Sequence, residues 1–271
     1  MDNALITSGA QNIEDLHEQI LGVVSSGVRK GLVLRKISYD GLERVEKRSD
    51  ELINLIFDGV RELSLELPEM PCFGVADWQK IYGITLTQKQ IGTLRQFPWS
   101  EKTLSAPCPF NPGKMIRETH FAFVGLETVN IMELQRLNPQ TTKPRFYDYA
   151  PNSWYSNEKF ANEMKLSLRW YLLLKDIVPN SENNTFADQE KMLPKEYEVP
   201  TAIAEIAKDF LIYKMTGVYA NGKRYARTSD LVSDSHRVYV GNCDAGGVVV
   251  VSYRDDYRND FVGVGASRKF D

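Results

Sequence analysis

Cys108 and His120 are the residues of this chain best suited to covalent chemistry. A thiol becomes a strong nucleophile once a neighbouring base or cation draws off its proton. Cys108 stands in a proline-rich stretch and His120 opens the next apolar run, with Lys114 and Arg117 between them to favour the thiolate. The pair would serve a hydrolase-type enzyme, although nothing local to Cys108 follows a nucleophile signature. The plainer assignment is a buried thiol beside a strand histidine.

Cys72, Cys108, His120 and Cys243 together would offer three sulfurs and a nitrogen, a zinc-type donor set. No two stand at ligand-pair spacing, so no metal site is expected, and the sequence names no cofactor. Widely spaced cysteines without a CxxC pair also argue against a disulfide framework and fit a reducing compartment. Asp230, Asp234, Asp244, Asp255, Asp256 and Asp260 lie in or beside the connections of a β-rich tail, where loops would gather carboxylates for a divalent cation or acid-base work. In RDDYRND, however, Arg254 and Arg258 alternate with the acids, the pattern of a self-compensated turn in solvent. NCDAGG lacks the Lys-Ser/Thr of a phosphate loop, and GVGAS leads into no helix.

Non-covalent recognition has its own candidates. Arg145, Tyr147, Tyr149, Trp154 and Tyr155 crowd one loop together with Lys143 and Phe146, and such rings stack on a base or a sugar. The bland alternative is a loop pinned to its own domain by those rings. A helix-turn-helix-like segment at 77–96 would present Gln88, Lys89, Thr93, Arg95 and Gln96 to DNA. Against that stands the charge: Lys plus Arg total 33 and Asp plus Glu 36, a formal −3, so global electrostatics do not favour a polyanion. A protein or small-molecule partner is the better expectation.

The elements that must position these residues follow from periodicity. Residues 12–26 place Ile13, Leu16, Ile20, Leu21 and Val24 on one helical stripe, with His17 as a hydrogen-bonded core residue on it. A second helix is expected from Ser49, on the stripe of Leu52, Ile56, Val60, Leu63 and Leu67, ending at Pro68. Segments 77–82 and 88–96 read as short helices joined through Gly83, with Thr87 and Gln90 at capping-box spacing. Pro98, Pro107, Pro109 and Pro112 then exclude regular structure over most of 97–113 and mark an internal boundary near residue 105.

Beyond it, residues 119–125 alternate as a strand and 129–137 form a helix that stops before Asn138-Pro139. Leu166, Leu168, Trp170, Leu172 and Leu174 at alternate positions predict a long strand over 165–177, with a helix as the competing period. Thr185 caps a short helix over 186–193, with Asp188 at its third position. The clearest helix opens at Pro200, carries the stripe Ile203, Ile206, Ala207, Phe210 and Leu211, and closes at Gly217. A turn at Asn221-Gly222 leads to β-rich runs at 225–229, 237–240, 248–253 and 261–267, read as an antiparallel meander whose apolar face the Pro200 helix covers.

ETHFAFVGL, RWYLLLKDIVPNS and RVYVGNCDAGGVVVVSYRDDYRND resemble a family of bacterial open reading frames with no known function. The likeness runs from Glu118 onward; it implies a bacterial cytosolic protein and transfers no site residue. MDNALITSGAQNIEDL has no basic segment leading into an apolar one, and no run approaches the about 18 apolar residues of a span, so a cytoplasmic protein with no membrane partner is expected. The fold class expected is α+β: residues 1–105 mainly helical, residues 106–271 mixed and ending in an antiparallel sheet on a long helix. The function expected is a binding or regulatory module acting through the aromatic loop and the meander connections.

Overall fold

The structure, a computed structural model, describes residues 70–270, which belong to one compact unit running from Leu67 to Asp271. The helices expected at 12–26 and from Ser49 lie outside the described residues. In chain order the elements are β1 (Cys72–Phe73), α1 (Val75–Tyr82), α2 (Gln88–Thr93), α3 (Glu101–Leu104), β2 (Pro107–Cys108), β3 (Asn111–Met115), α4 (Ile116–Thr119) and β4 (His120–Val124). They continue with α5 (Ile131–Leu137), α6 (Lys159–Asn162), β5 (Trp170–Leu174), α7 (Phe186–Lys191), β6 (Tyr197–Glu198) and α8 (Ala202–Thr216). The last are β7 (Tyr225–Leu231), β8 (Arg237–Asp244), β9 (Gly247–Tyr253), β10 (Val262–Val264) and β11 (Ser267–Arg268). The class is α+β.

Two sheets and a two-stranded β2–β3 ribbon result: one sheet has the order β1-β4-β5-β11-β6, the other β10-β7-β8-β9. Helix α8 packs on β7 and β8 and also on β4 and β5. Every residue from Ala202 to Ile212 is therefore buried, and the helix is an enclosed core element instead of an amphipathic cover. Its caps are local. The Thr201 hydroxyl accepts from Ala204 N at 3.4 Å, Asp230 Oδ2 accepts from Ala202 N at 2.5 Å, and Gly217 closes the helix at φ 72°. Pro200 stands ahead of the cap, not in the first turn.

The meander holds for three strands and fails for the fourth. β7, β8 and β9 are antiparallel neighbours, but β10 pairs with β7 in parallel and the chain then enters the other sheet as β11, between β5 and β6. The outer edge of β9 is already taken. Val248 N donates to Arg145 O at 2.8 Å and Val248 O accepts from Tyr147 N at 2.9 Å, so the aromatic loop already occupies that edge. The fourth run crosses to the other edge and pairs there with β7 in parallel.

Further expectations are corrected by packing. β4 and β5 are buried at every position, where alternation with solvent was expected, because α8 covers them and Trp78 and Phe97 reach them too. The Trp78 indole donates to Val124 O at 2.8 Å, and the Phe97 ring lies 5.1 Å from that of Trp170. The strand expected over 165–177 is only β5; Leu166 N donates instead to Val129 O, and Ser167 N to the Tyr171 hydroxyl. Residues 97–113 hold α3 and the ribbon, whose strands are both edges and so tolerate proline. That stretch does not separate cores: Trp99 Nε1 donates to Lys269 O at 2.7 Å and Trp170 Nε1 to Leu94 O at 3.0 Å. The helix expected over 88–96 ends at Thr93, with the Thr87–Gln90 capping box in place.

Candidate functional site

Cys108, on β2, and His120, opening β4, are both fully buried. His120 Nδ1 lies 3.1 Å from Ile116 O and 2.9 Å from Thr119 Oγ1. The Ile116 carbonyl only accepts, which assigns the ring proton to Nδ1 and leaves Nε2 a buried lone pair without a partner among the described residues. Burial above all, aided by the charges of Arg268 and Lys175 and opposed by the Ile116 carbonyl, pushes the imidazole down to about 3. The ring is neutral at physiological pH. Tyr197 stands beside both candidates, its ring 5.6 Å from that of His120 and its phenol within the electrostatic reach of Cys108. All three are interior groups.

The aspartates disperse. Asp230 caps α8, Asp234 pairs with His236 at 3.2 Å, Asp244 accepts from Gly246 N, Asp255 holds Arg237 by two bonds of 2.7 and 3.0 Å, and Asp256 faces Arg254. Among the described residues no three His, Cys, Asp or Glu side chains are grouped as a metal centre requires, and the three cysteines are free.

The aromatic loop serves mainly as a clasp. Tyr149 Oη and Trp154 Nε1 both donate to Val250 O, at 2.7 and 2.8 Å, while Phe146 and Tyr155 are fully buried. Arg145 Nη1 donates back to Gln140 O at 3.1 Å. Tyr147, 46% exposed, and Trp154 keep surface toward solvent. The loop approaches so closely that Gly247, at φ 121°, would place a Cβ 2.5 Å from Phe146 C and Tyr147 N.

Two features were not foreseen. The first is a charged cluster inside α8. Lys208 Nζ bonds Glu205 Oε1 and lies 3.5 Å from Asp209 Oδ1; all three side chains are fully buried. Asn221 Nδ2, from the turn after the helix, reaches Glu205 Oε1 and Asp209 Oδ1 at 3.2 Å, and the Cys243 thiol donates to Asp209 Oδ2 at 2.9 Å. Burial first, then the Glu205 charge, raises Asp209 to about 6 against the pull of Lys208. Cys243 is pushed up by burial and by Asp209, which makes it an inert thiol. Spacing i, i+3, i+4 shows that Glu205, Lys208 and Asp209 share a helix face, but sequence reads such a face as solvated.

The second is a hollow of about 250 Å³ lined by Tyr225, Tyr239, Val251, Tyr253, Tyr257, Phe261 and Val262. Strand register builds it: Tyr225 pairs with Val262, Arg227 with Tyr239, Tyr239 with Val251 and Arg237 with Tyr253, so these side chains leave one face of the sheet. The other face sends Val238, Val240 and Val250 into the core. The β9–β10 connection then folds over the outer face, stacking Tyr257 on Tyr253 at 4.5 Å and 12° and bringing Phe261 to 6.1 Å from Tyr225. Tyr253 and Phe261 are 42% and 47% exposed and form the mouth; Tyr239 is its buried floor. The signal in the sequence was one ring per β-rich run, which becomes a site only once the register is known. No helix among the described residues is long and apolar enough to cross a membrane. No family model, no curated protein and no solved structure matches the chain.

Proposed function

We propose that the protein is a binding or regulatory module whose ligand surface is the aromatic hollow on the outer face of β7, β8 and β9, with the β9–β10 connection as its rim. The observation that carries this reading is the convergence of five aromatic rings on one solvent-open hollow of about 250 Å³. Rings offer large apolar area at little entropic cost, and an exposed cluster of them is not needed to bury the core, which lies on the other face of the sheet. The volume suits a single ring-bearing small molecule. The part foreseen for the meander connections stays with 254–261, whereas the aromatic loop contributes mainly by holding β9 in place. Free thiols at Cys72, Cys108 and Cys243 support a reducing, cytoplasmic setting.

Ligand-observed NMR against a mixture of small ring compounds tests the proposal. Ring-bearing hits are expected with the native chain and with Tyr147→Ala, and are expected to vanish with Tyr253→Ala, whose side chain is exposed enough to be removed without unfolding the sheet. Identical hits for the native chain and Tyr253→Ala would refute it.

A further inference from the structure

Resting on the hollow as a ligand site, we propose that its occupant is a small planar ring carrying a negative charge, of the aryl carboxylate class, held by stacking on the tyrosines and by the field of buried Arg227. Arg227 pairs with Tyr239 across β7 and β8, so its side chain leaves the sheet on the face that carries the hollow. It is fully buried, with its guanidinium carbon 5.0 Å over the Tyr239 ring. Every hydrogen-bond acceptor recorded for it is neutral: Nη1 donates to Asn184 O and Gln189 Oε1, each at 2.9 Å, and Nη2 donates to Tyr257 O.

The neighbouring arginines are different. Arg224 meets Asp176 and Glu182, Arg237 meets Asp255, and Arg254 meets Asp256. Among the described residues no carboxylate lies within ion-pair distance of Arg227, and its Nε has no hydrogen-bond partner. A guanidinium cannot shed its proton, so a full positive charge stays beside the floor of the hollow in a medium that screens it weakly. Such a charge opposes the ligand that a ring of aromatics otherwise selects, a quaternary ammonium. It favours an anion. The Tyr239 phenol senses Arg227 most strongly among the charges around it: burial raises it, Arg227 draws it back by charge and by a hydrogen bond, and the smaller effects of Asp255 and Arg237 oppose each other. Arg227 also shapes the site, because its bond to the Tyr257 carbonyl ties the rim to the sheet.

Benzoate, benzamide and benzyltrimethylammonium share a phenyl ring and differ in charge. Titrated into the full chain with labelled tyrosines, benzoate is expected to bind roughly tenfold tighter than benzamide, and the ammonium weakest of all. Tyr253→Ala should weaken all three, and Arg227→Met should bring benzoate and benzamide to equal affinity, both weakened by the loss of the tie to Tyr257 O. If benzamide or the ammonium binds the native chain as tightly as benzoate, the charge assignment fails and the ring site stands. If no probe moves the signals of Tyr225, Tyr239, Tyr253 or Tyr257 at millimolar concentration, the ring site itself fails. The probe series on the native chain decides the matter even where Arg227→Met does not fold.

Discussion

Replacing Lys208 with Met removes the only cation of the α8 cluster and leaves the Glu205 and Asp209 carboxylates to face each other through Asn221. Met keeps most of the side-chain volume, so the change is electrostatic. At the 3.5 Å between Lys208 Nζ and Asp209 Oδ1, a pair screened as proteins screen is worth about 5 kcal/mol. The loss has a ceiling, because a carboxylate stripped of its cation takes up a proton. Asp209 is already raised to about 6, so taking up a proton there costs about 1 kcal/mol at pH 7 and almost nothing at pH 5. Lys208→Met should therefore destabilise this unit by about 3 kcal/mol at pH 7, the lost charge-assisted bond to Glu205 included, and by about 1 kcal/mol less at pH 5. Adding Glu205→Gln should restore most of the difference at pH 7.

Urea denaturation followed by tryptophan fluorescence measures it, because Trp78, Trp99, Trp154 and Trp170 all lie in this unit. A loss below about 1 kcal/mol at pH 7, or one that is the same at pH 5, would show that the cluster does not hold its charges as the geometry implies.

Two further outcomes follow from the same structure. Asp209, raised to about 6 by burial, favours its neutral form in the fold, so its contribution is fully present below its unfolded value of 3.8 and is lost as pH rises through about 6. The stability of the native chain relative to Asp209→Asn should fall by up to about 3 kcal/mol between pH 4 and pH 7, and a flat difference in paired urea titrations would refute the assignment. Gly247→Ala, forcing a Cβ into the Phe146–Tyr147 backbone from φ 121°, should destabilise by about 1–3 kcal/mol and speed exchange of the Tyr147 and Val248 amides; slow exchange in the variant would argue against the clasp.

Short-range features of the chain were legible in its sequence. Thr87 with Gln90, Thr185 with Asp188, and Gly217 each act within one turn of their own helix, so spacing alone located them. The turn at Asn221-Gly222 was legible for the same reason: both residues take positive φ, 58° and 51°, which Asn and Gly accept. The α8 cluster escaped because a charged helix face looks the same in sequence whether water or a second sheet lies against it. The aromatic loop is pinned to its own domain, the alternative its composition left open. Its rings are real contact makers, but Tyr149 and Trp154 direct their polar tips at Val250 of the same chain.

By itself the sequence determined the α+β class, the N-caps of α2 and α7, the close of α8 at Gly217 and the first three strands of the meander. Those are short-range matters of period, capping and turn chemistry. Tertiary structure alone decided that α8 is enclosed by two sheets, that the fourth run crosses to a parallel edge, and that Tyr225, Tyr239, Tyr253, Tyr257 and Phe261 meet around one hollow. Each of these depends on which edge was already occupied and which registers paired, and pairing between distant strands leaves no mark on local spacing.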